Sequence, residues 1–553
     1  MIEKDVSYSR LDVALASMLA KRSGLADKAE RDRLYSLVQN VSAALASGHS
    51  CIEISEEERA FLLPLNCVSE DEKTPLIVED NRLYFYRYWH YETRLAQQIA
   101  LRIHGLATSA DDLQNIVNHY FAEDSEDDID WQRRAAINVA QQRFSIITGG
   151  PGTGKTTTVL KVLAILQTLH GYDLSIGMAA PTGKAAMRLQ ESLAGGKNKT
   201  DNDGNEVFSE QVKQSIPQDV STIHRLLGAK RNSVYFKHHA DNPLIHDVVV
   251  IDEASMVDLS LMSKLIDALK PSAQLILLGD KDQLSSVESG AVLADLSQAL
   301  PEHTSELKKS YRFLEDIKNF ATAINQQDTQ RAWELLEGDE CAAVRRVQGD
   351  LLEHLHQEYA PYLQAVRSSH DPAEIFAQFN RFKVLCAMRR GKLGIENLNA
   401  SFERRLQHQE GFNIRTGWYA GKPVMITQND PATGLFNGDI GICLYPPEER
   451  TLTVFFEQQD GSMKRILPMR LPQYETAFAM TIHKSQGSEF ATVLMVLPDQ
   501  MNPLLSKELL YTAVTRAKEN VQVAAQKEIF QQALEQRVER TSGLSQKLVV
   551  NSQ

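Results

Sequence analysis

Apolar positions fall into three textures along the chain. At 11–19 and 34–45 they repeat at helical spacing, which predicts amphipathic helices. From Ile137 onward, short continuous apolar runs alternate with helical periods. Phe144-Ser145-Ile146-Ile147-Thr148 leads into a helix carrying Val159, Leu160, Val162, Leu163 and Leu166, and further runs lie at 174–180, 248–251 and 275–278. Continuous runs separated by helices predict strands buried on both faces, hence a parallel sheet with helices on each side. Beyond Gln326 the pattern turns helical and polar, then strand-like again at 383–388 and 493–497, which predicts a second sheet of the same type. Between those runs, short strands at 423–427 and 451–456 are separated by Asn-Asp, Asn-Gly and Asp-Gly turns, the texture of a small all-β insertion.

These textures divide the 553 residues into an N-terminal domain (1–120), a first α/β domain (121–330) and a second (331–553) with its insertion at about 416–472. An aromatic-basic run, Tyr84-Phe85-Tyr86-Arg87-Tyr88-Trp89-His90-Tyr91, lies in the N-terminal part. Such a run suits stacking on bases, and equally suits packing into a core or a partner. The acidic stretch 123–130 reads as a solvated linker.

Chemistry enters at Gly149-Gly150-Pro151-Gly152-Thr153-Gly154-Lys155-Thr156, followed by Thr157. The loop fits G-x-x-x-x-G-K-[ST] between a predicted strand and a predicted helix, the context a phosphate-binding loop requires. Its glycines let backbone N–H groups turn toward phosphates, and the helix adds its positive end. Lys155 is expected to reach the β- and γ-phosphates of ATP, and Thr156 to ligate Mg²⁺. A second apolar strand delivers Asp252 and Glu253 at its carboxyl end, where open α/β sheets bind ligands. Asp252 is expected to hold Mg²⁺ and Glu253 to orient or deprotonate the attacking water. A third strand ends in Gly279-Asp280-Lys281-Asp282-Gln283-Leu284, where Gln283 suits sensing of the γ-phosphate and the turn alone suits ending the strand.

Composition changes this picture little. Hydrophobic residues make up 43% and charged residues 24%, ordinary for a globular protein, and no run approaches the ~20 apolar residues that span a bilayer. The polar, acidic start resembles neither a secretory signal nor a transit peptide. Five scattered cysteines without a C-x-x-C pair point away from a zinc site or disulfide framework and toward reduced thiols in the cytoplasm. The net charge of −13 excludes a surface basic all over, yet a motor can confine its basic groups to one channel.

The ordered motifs resemble the RecD branch of superfamily 1 helicases. They comprise the glycine loop, Ala179-Ala180-Pro181-Thr182-Gly183-Lys184-Ala185-Ala186, Thr222-Ile223-His224-Arg225-Leu226-Leu227-Gly228, Asp252-Glu253-Ala254-Ser255 and Gly279 to Leu284. Further on come Lys309-Ser310-Tyr311-Arg312-Phe313, Thr481-Ile482-His483-Lys484-Ser485-Gln486-Gly487 and Tyr511-Thr512-Ala513-Val514-Thr515-Arg516-Ala517-Lys518. The resemblance implies two RecA-like P-loop motor domains, an SH3-like insertion and a mainly helical N-terminal domain that contacts a partner. It implies an ATP-dependent DNA helicase travelling 5′→3′, with Arg516 as an arginine finger and Arg312 as a second γ-phosphate contact. Tyr311 would stack on adenine, and Gln132 would read the adenine edge. Single-stranded DNA would lie across Pro181, Thr182, Lys184, Thr222 and His224 of the first domain and Thr481, His483 and Lys484 of the second, with Asn437 from the insertion. For any one Thr or Lys, a helix cap or solvated surface is the competing reading. For Asn437 it is a hairpin turn. The segment Val234-Tyr235-Phe236-Lys237-His238-His239 is expected to form a hairpin where the duplex splits.

Three functions compete at this stage. One is the motor of a RecBCD-type exodeoxyribonuclease V, assembled with RecB-like and RecC-like subunits at a duplex end and leaving nuclease chemistry to a partner. The others are a stand-alone RecD-like helicase and a P-loop ATPase serving as a regulatory module without unwinding. The stand-alone helicases usually carry helix-hairpin-helix elements ahead of the motor, and 1–120 shows no such Gly-rich hairpins.

Overall fold

A computed structural model describes the chain except residues 1–7, 104–109, 122–128, 201–205, 231–232, 287–288, 310–314, 339–340, 411–416, 431, 447–448, 450, 459–460 and 552–553. Tyr311 and Arg312 therefore lie outside the described residues.

The apolar runs become two parallel sheets. The first runs in the order Thr304–Glu306, Phe144–Thr148, Gln274–Gly279, Val248–Ile251, Ile176–Ala180, Ser221–Thr222. Alternation across the sheet sends Phe144, Ile146, Val249 and Ile251 into one helix-covered core and Ile147, Val248 and Val250 into the other. That double burial is why these strands are apolar at nearly every position. The second sheet runs Val344–Arg346, Ala517–Ala524, Phe490–Val496, Phe382–Cys386, Ala479–Thr481, also parallel and also filled on both faces.

The insertion is a five-stranded antiparallel sheet in the order Met463–Ile466, Thr453–Glu457, Ile440–Leu444, Lys422–Ile426, Tyr474–Thr476. Val424, Ile426, Cys443, Val454 and Phe456 fill its own small core, while Ile442, Leu444 and Phe455 pack onto the second motor body. The period-two pattern thus anchors one face and closes the other.

The N-terminal region adds a four-stranded sheet (Ile52–Glu53, Arg82–Phe85, Leu76–Glu79, Val68–Ser69) to the expected helices Arg10–Arg22 and Lys28–Ala46. The aromatic-basic run divides between the strand Arg82–Phe85 and the helix Tyr86–Ala100. Tyr84 is fully buried, Trp89 Nε1 donates to Glu79 (3.0 Å), and Tyr88 and Tyr91 pack against the first motor core. Packing thus engages Tyr84, Tyr88, Trp89 and Tyr91, while Arg87 and His90 are exposed. The segment expected as a hairpin is irregular among the described residues, with only the antiparallel pairings Ala229–Phe236 and His239–Asn242.

The chain crosses between the motor bodies a second time near its end. Arg540 donates to Gly290 O (2.9 Å) and Ser286 O (2.5 Å), and Ser50 N donates to Thr541 O (3.0 Å). The last helix, Leu544–Asn551, then packs on the helices Tyr86–Ala100 and Val292–Ala299.

Candidate functional site

The glycine loop leaves the strand Phe144–Thr148 with Gly149 N donating to Gly279 O (3.2 Å) on the neighbouring strand. Gly154 caps the helix Lys155–Leu169 at φ +82°, and a Cβ there would collide with the Gln132 amide, so both conformation and space call for glycine. Fifteen helical residues aim their positive end at the loop. Lys155 Nζ donates to Gly149 O (2.5 Å) and Gly150 O (3.1 Å), which holds the ammonium across the loop. Gln132, on a helix capped by Asp130, donates to Thr153 O (3.1 Å) at the loop's flank.

Asp252 and Glu253 stand at the carboxyl end of Val248–Ile251, as expected. Burial, with the Glu253 carboxylate beside it, pushes Asp252 up to about 6. Glu253 adopts φ +50°, a left-handed conformation that is uncommon for a non-glycine residue and gathers at functional sites. Asp280, which sequence reasoning quoted without a role, is buried at the end of the next strand and is also pushed up to about 6 by burial, against the pull of Lys155. Gln283 Nε2 donates to Asp280 Oδ2 (2.9 Å).

The second motor body closes over this cluster. Tyr511 Oη donates to Asp280 Oδ2 (3.2 Å), and a Cβ on Gly150 would stand 3.0 Å from the same hydroxyl. Leu284 N donates to Thr512 Oγ1 (2.9 Å), Gln486 Nε2 donates to Leu284 O (2.9 Å), and Arg188 pairs with Glu489. Arg516 is buried at the end of the helix Lys507–Val514, with Nε donating to Thr512 O (3.2 Å) and Nη1 to Ser488 O (3.4 Å). Burial lowers its pKa while the carboxylates of Glu253, Glu489 and Asp280 pull it upward. The guanidinium therefore lies within electrostatic reach of Glu253 and Asp280 of the first body. Sequence reasoning assigned no role to Tyr511, Thr512, Gln486 or Arg188. Three of these fall inside quoted motifs, yet their partners sit more than 200 residues away and leave no local trace.

Oxygen donors at Thr156, in the helix's first turn, and at Asp252 fit a hard divalent cation such as Mg²⁺. Among the described residues no group of three or more His, Cys, Asp or Glu side chains could hold a metal ion.

Of the strand-binding candidates, Lys184 and Lys484 line two separate grooves. Thr182 and Thr222 cap helices, accepting from Ala185 N and Arg225 N (3.2 Å each), and His224 packs edge-on to Phe236. Their side chains thus hold local structure, as the capping reading anticipated. Pro181 is half-buried just before that cap, and Lys184 lines a 560 Å³ cleft facing Phe436, Gly438 and Asp439 of the insertion. Burial pushes the Lys184 ammonium down to about 8, and the Asp439 carboxylate draws it back up. Asn437 N donates to Asn429 Oδ1 (2.8 Å), bracing the insertion's turn. In the second body, Thr481 ends the strand Ala479–Thr481, His483 is half-buried near Arg540, and Lys484 pairs with Glu475 (3.1 Å) in a 600 Å³ groove beside Arg389 and Tyr474.

Fold and site together define a P-loop ATPase whose nucleotide cleft lies between two parallel-sheet bodies. A family model for an AAA domain matches residues 132–289, and one for a UvrD-like helicase C-terminal domain matches 476–524. The chain is 39% identical to the RecBCD enzyme subunit RecD of Haemophilus influenzae, covering 86% of this chain and 81% of that one. It is 33% identical to the ATP-dependent RecD2 DNA helicase of Deinococcus radiodurans, covering 74% of this chain but 51% of the relative. Among solved structures, the Pif1 helicase from Bacteroides with ADP-AlF3 and single-stranded DNA aligns at TM-score 0.39 and 19% identity, over 73% of this chain and 94% of that chain. The chain belongs to the RecD family.

Proposed function

We propose that the chain is the ATP-driven DNA helicase subunit of a RecBCD-type exodeoxyribonuclease V, travelling 5′→3′ on one strand at a duplex end in the cytoplasm. One observation carries this reading: Arg516 of the second body is buried within reach of Glu253 and Asp280 of the first. A cleft closed by a guanidinium from a separate body links hydrolysis to movement, because loss of the γ-phosphate removes what the arginine is drawn to. Coverage of 81% of a RecD subunit, against 51% of RecD2, favours the subunit over the stand-alone helicase, with RecB-like and RecC-like partners.

Lys155 and the loop's N–H groups hold the phosphates of ATP, and Glu253 orients the attacking water and accepts its proton. Asp252, protonated more readily than an ordinary aspartate, and Thr156 are the residues that would hold Mg²⁺, which supplies charge neutralisation between the β- and γ-phosphates. Gln283, hydrogen-bonded to Asp280, relays the state of the γ-phosphate to Leu284 and so to Thr512 and Gln486 of the second body. Gln132 flanks the adenine side of the loop. Tyr311 and Arg312 keep the roles the family resemblance implies for them. Single-stranded DNA runs past Pro181–Lys184, Thr222, His224, Asn437 and the Thr481–Lys484 segment, held mainly by its phosphates.

Purified chain is expected to hydrolyse ATP with stimulation by single-stranded DNA, and Lys155→Gln to abolish turnover with circular dichroism unchanged. Folded wild-type protein that DNA does not stimulate would overturn the motor reading. Co-purification of two large subunits from native cells tests the complex, and a lone monomer would favour the stand-alone helicase.

A further inference from the structure

The cleft between the helix Gly183–Lys197 and the insertion holds a side chain that packing does not explain. Phe436 is 48% exposed although its backbone is tightly fixed. Phe436 N donates to Asp439 Oδ2 (2.7 Å), Asp439 N donates to Phe436 O (3.0 Å), and Asn437 N donates to Asn429 Oδ1 (2.8 Å). Gly438 supplies the φ of +95° that closes the turn. Across the cleft, a Cβ on Gly183 would stand 3.8 Å from Phe436 Cγ, so the ring faces the first turn of a fifteen-residue helix beside Lys184. A rigid turn that leaves an aromatic ring half-exposed in a cleft forgoes part of the burial that phenylalanine ordinarily seeks.

We propose that Phe436 is a base-stacking residue, gripping one base of the single strand whose phosphates lie along the segment Pro181–Lys184. This rests on the DNA-motor reading. The helix N-terminus and Lys184 attract the backbone, while the ring offers its face to a base. Phenylalanine carries no hydrogen-bonding group, so its grip is indifferent to base identity, which suits a motor that must pass every sequence. Because the ring belongs to the insertion and the phosphate segment to the first motor body, this nucleotide is held only when the two face each other. Asp439 closes the turn through Oδ2 and also attracts Lys184 across the cleft, so the strand's phosphates share that ammonium with it.

The test compares a dT oligonucleotide with an abasic oligonucleotide of equal length, which keeps the phosphates and removes the bases. Fluorescence anisotropy with the full chain is expected to show Phe436→Ala weakening dT binding by roughly tenfold. Abasic binding is expected to change less than about twofold, because only stacking has been removed. Phe436→Trp should restore dT binding, with its indole emission quenched on dT and not on the abasic strand. If Phe436→Ala weakens both ligands alike, or neither, the stacking assignment falls while the motor reading stands. If DNA does not stimulate wild-type ATP hydrolysis at all, both fall together.

Discussion

Each motor body sends a buried strand through a turn into a long helix, and the two turns differ in kind. In the first, Phe144–Thr148 passes through a glycine loop into Lys155–Leu169, leaving backbone N–H groups and one ammonium at the helix end. In the second, Phe382–Cys386 passes through Met388-Arg389-Arg390-Gly391-Lys392 into Ile395–Glu410. There Arg389 is tied to Glu396 (3.0 Å) and Glu475 (2.7 Å), so its charge is spent on neighbours. The same scaffold thus makes an open glycine loop in one body and a braced surface turn in the other. The second body contributes to the cleft instead from the far end of its chain, through Tyr511 and Arg516. Nucleotide chemistry is a property of a few residues placed on a sheet, and the sheet alone does not supply it.

This contrast can be broken most decisively at Arg516. Arg516→Ala is expected to lower kcat for DNA-stimulated ATP hydrolysis by roughly 10³-fold or more. Binding of a fluorescent ATP analogue should persist, and an unchanged kcat would confine the chemistry to the first body. The next effect concerns Asp280, whose folded-state pKa of about 6 lies above the ordinary 3.8. Folding therefore favours its protonated form, a contribution complete below about pH 4 and lost as the pH rises through about 6. Asp280→Asn should stabilise the ligand-free chain by roughly 2 kcal/mol more at pH 8 than at pH 4, measured by urea unfolding. A pH-independent effect would show that burial does not govern this carboxyl. Smaller again, Tyr511→Phe removes one cross-body hydrogen bond and should raise KM for ATP about fivefold, equivalent to about 1 kcal/mol. Smallest is Arg389→Ala, where exposed ion pairs are worth under about 1 kcal/mol of stability. A larger loss there would mean that the braced turn supports more of the second body than its surface position suggests.

Much of this is legible in the sequence alone. Phe144–Thr148 and Val248–Ile251 occupy the residues their apolar runs predict, and the other buried strands differ from their runs by a few terminal residues, because burial on both faces leaves an unmistakable pattern. The glycine loop and the acidic pair were equally readable, since their spacing is local. Contacts between distant segments were not. Tyr511 meets Asp280 across 231 residues, and no periodicity encodes such a meeting. The aromatic-basic run looked uniform in sequence, yet the strand ends at Phe85 and a helix begins at Tyr86. Its side chains serve three different packing environments, which is why composition pointed in two directions. Thr182 and Thr222 show the reverse case: a motif identified the segments, while the hydroxyls themselves are occupied as caps.

The return of the chain near Arg540 has a mechanical consequence. The polypeptide passes from the first motor body to the second after Leu307 and comes back before Thr541. Two tethers at separated points define a line, and swinging about that line is the relative displacement that stretches neither. A single tether would leave the bodies free to twist and slide as well. With both crossings in place, rotation about the line that joins them is the relative movement the covalent chain opposes least.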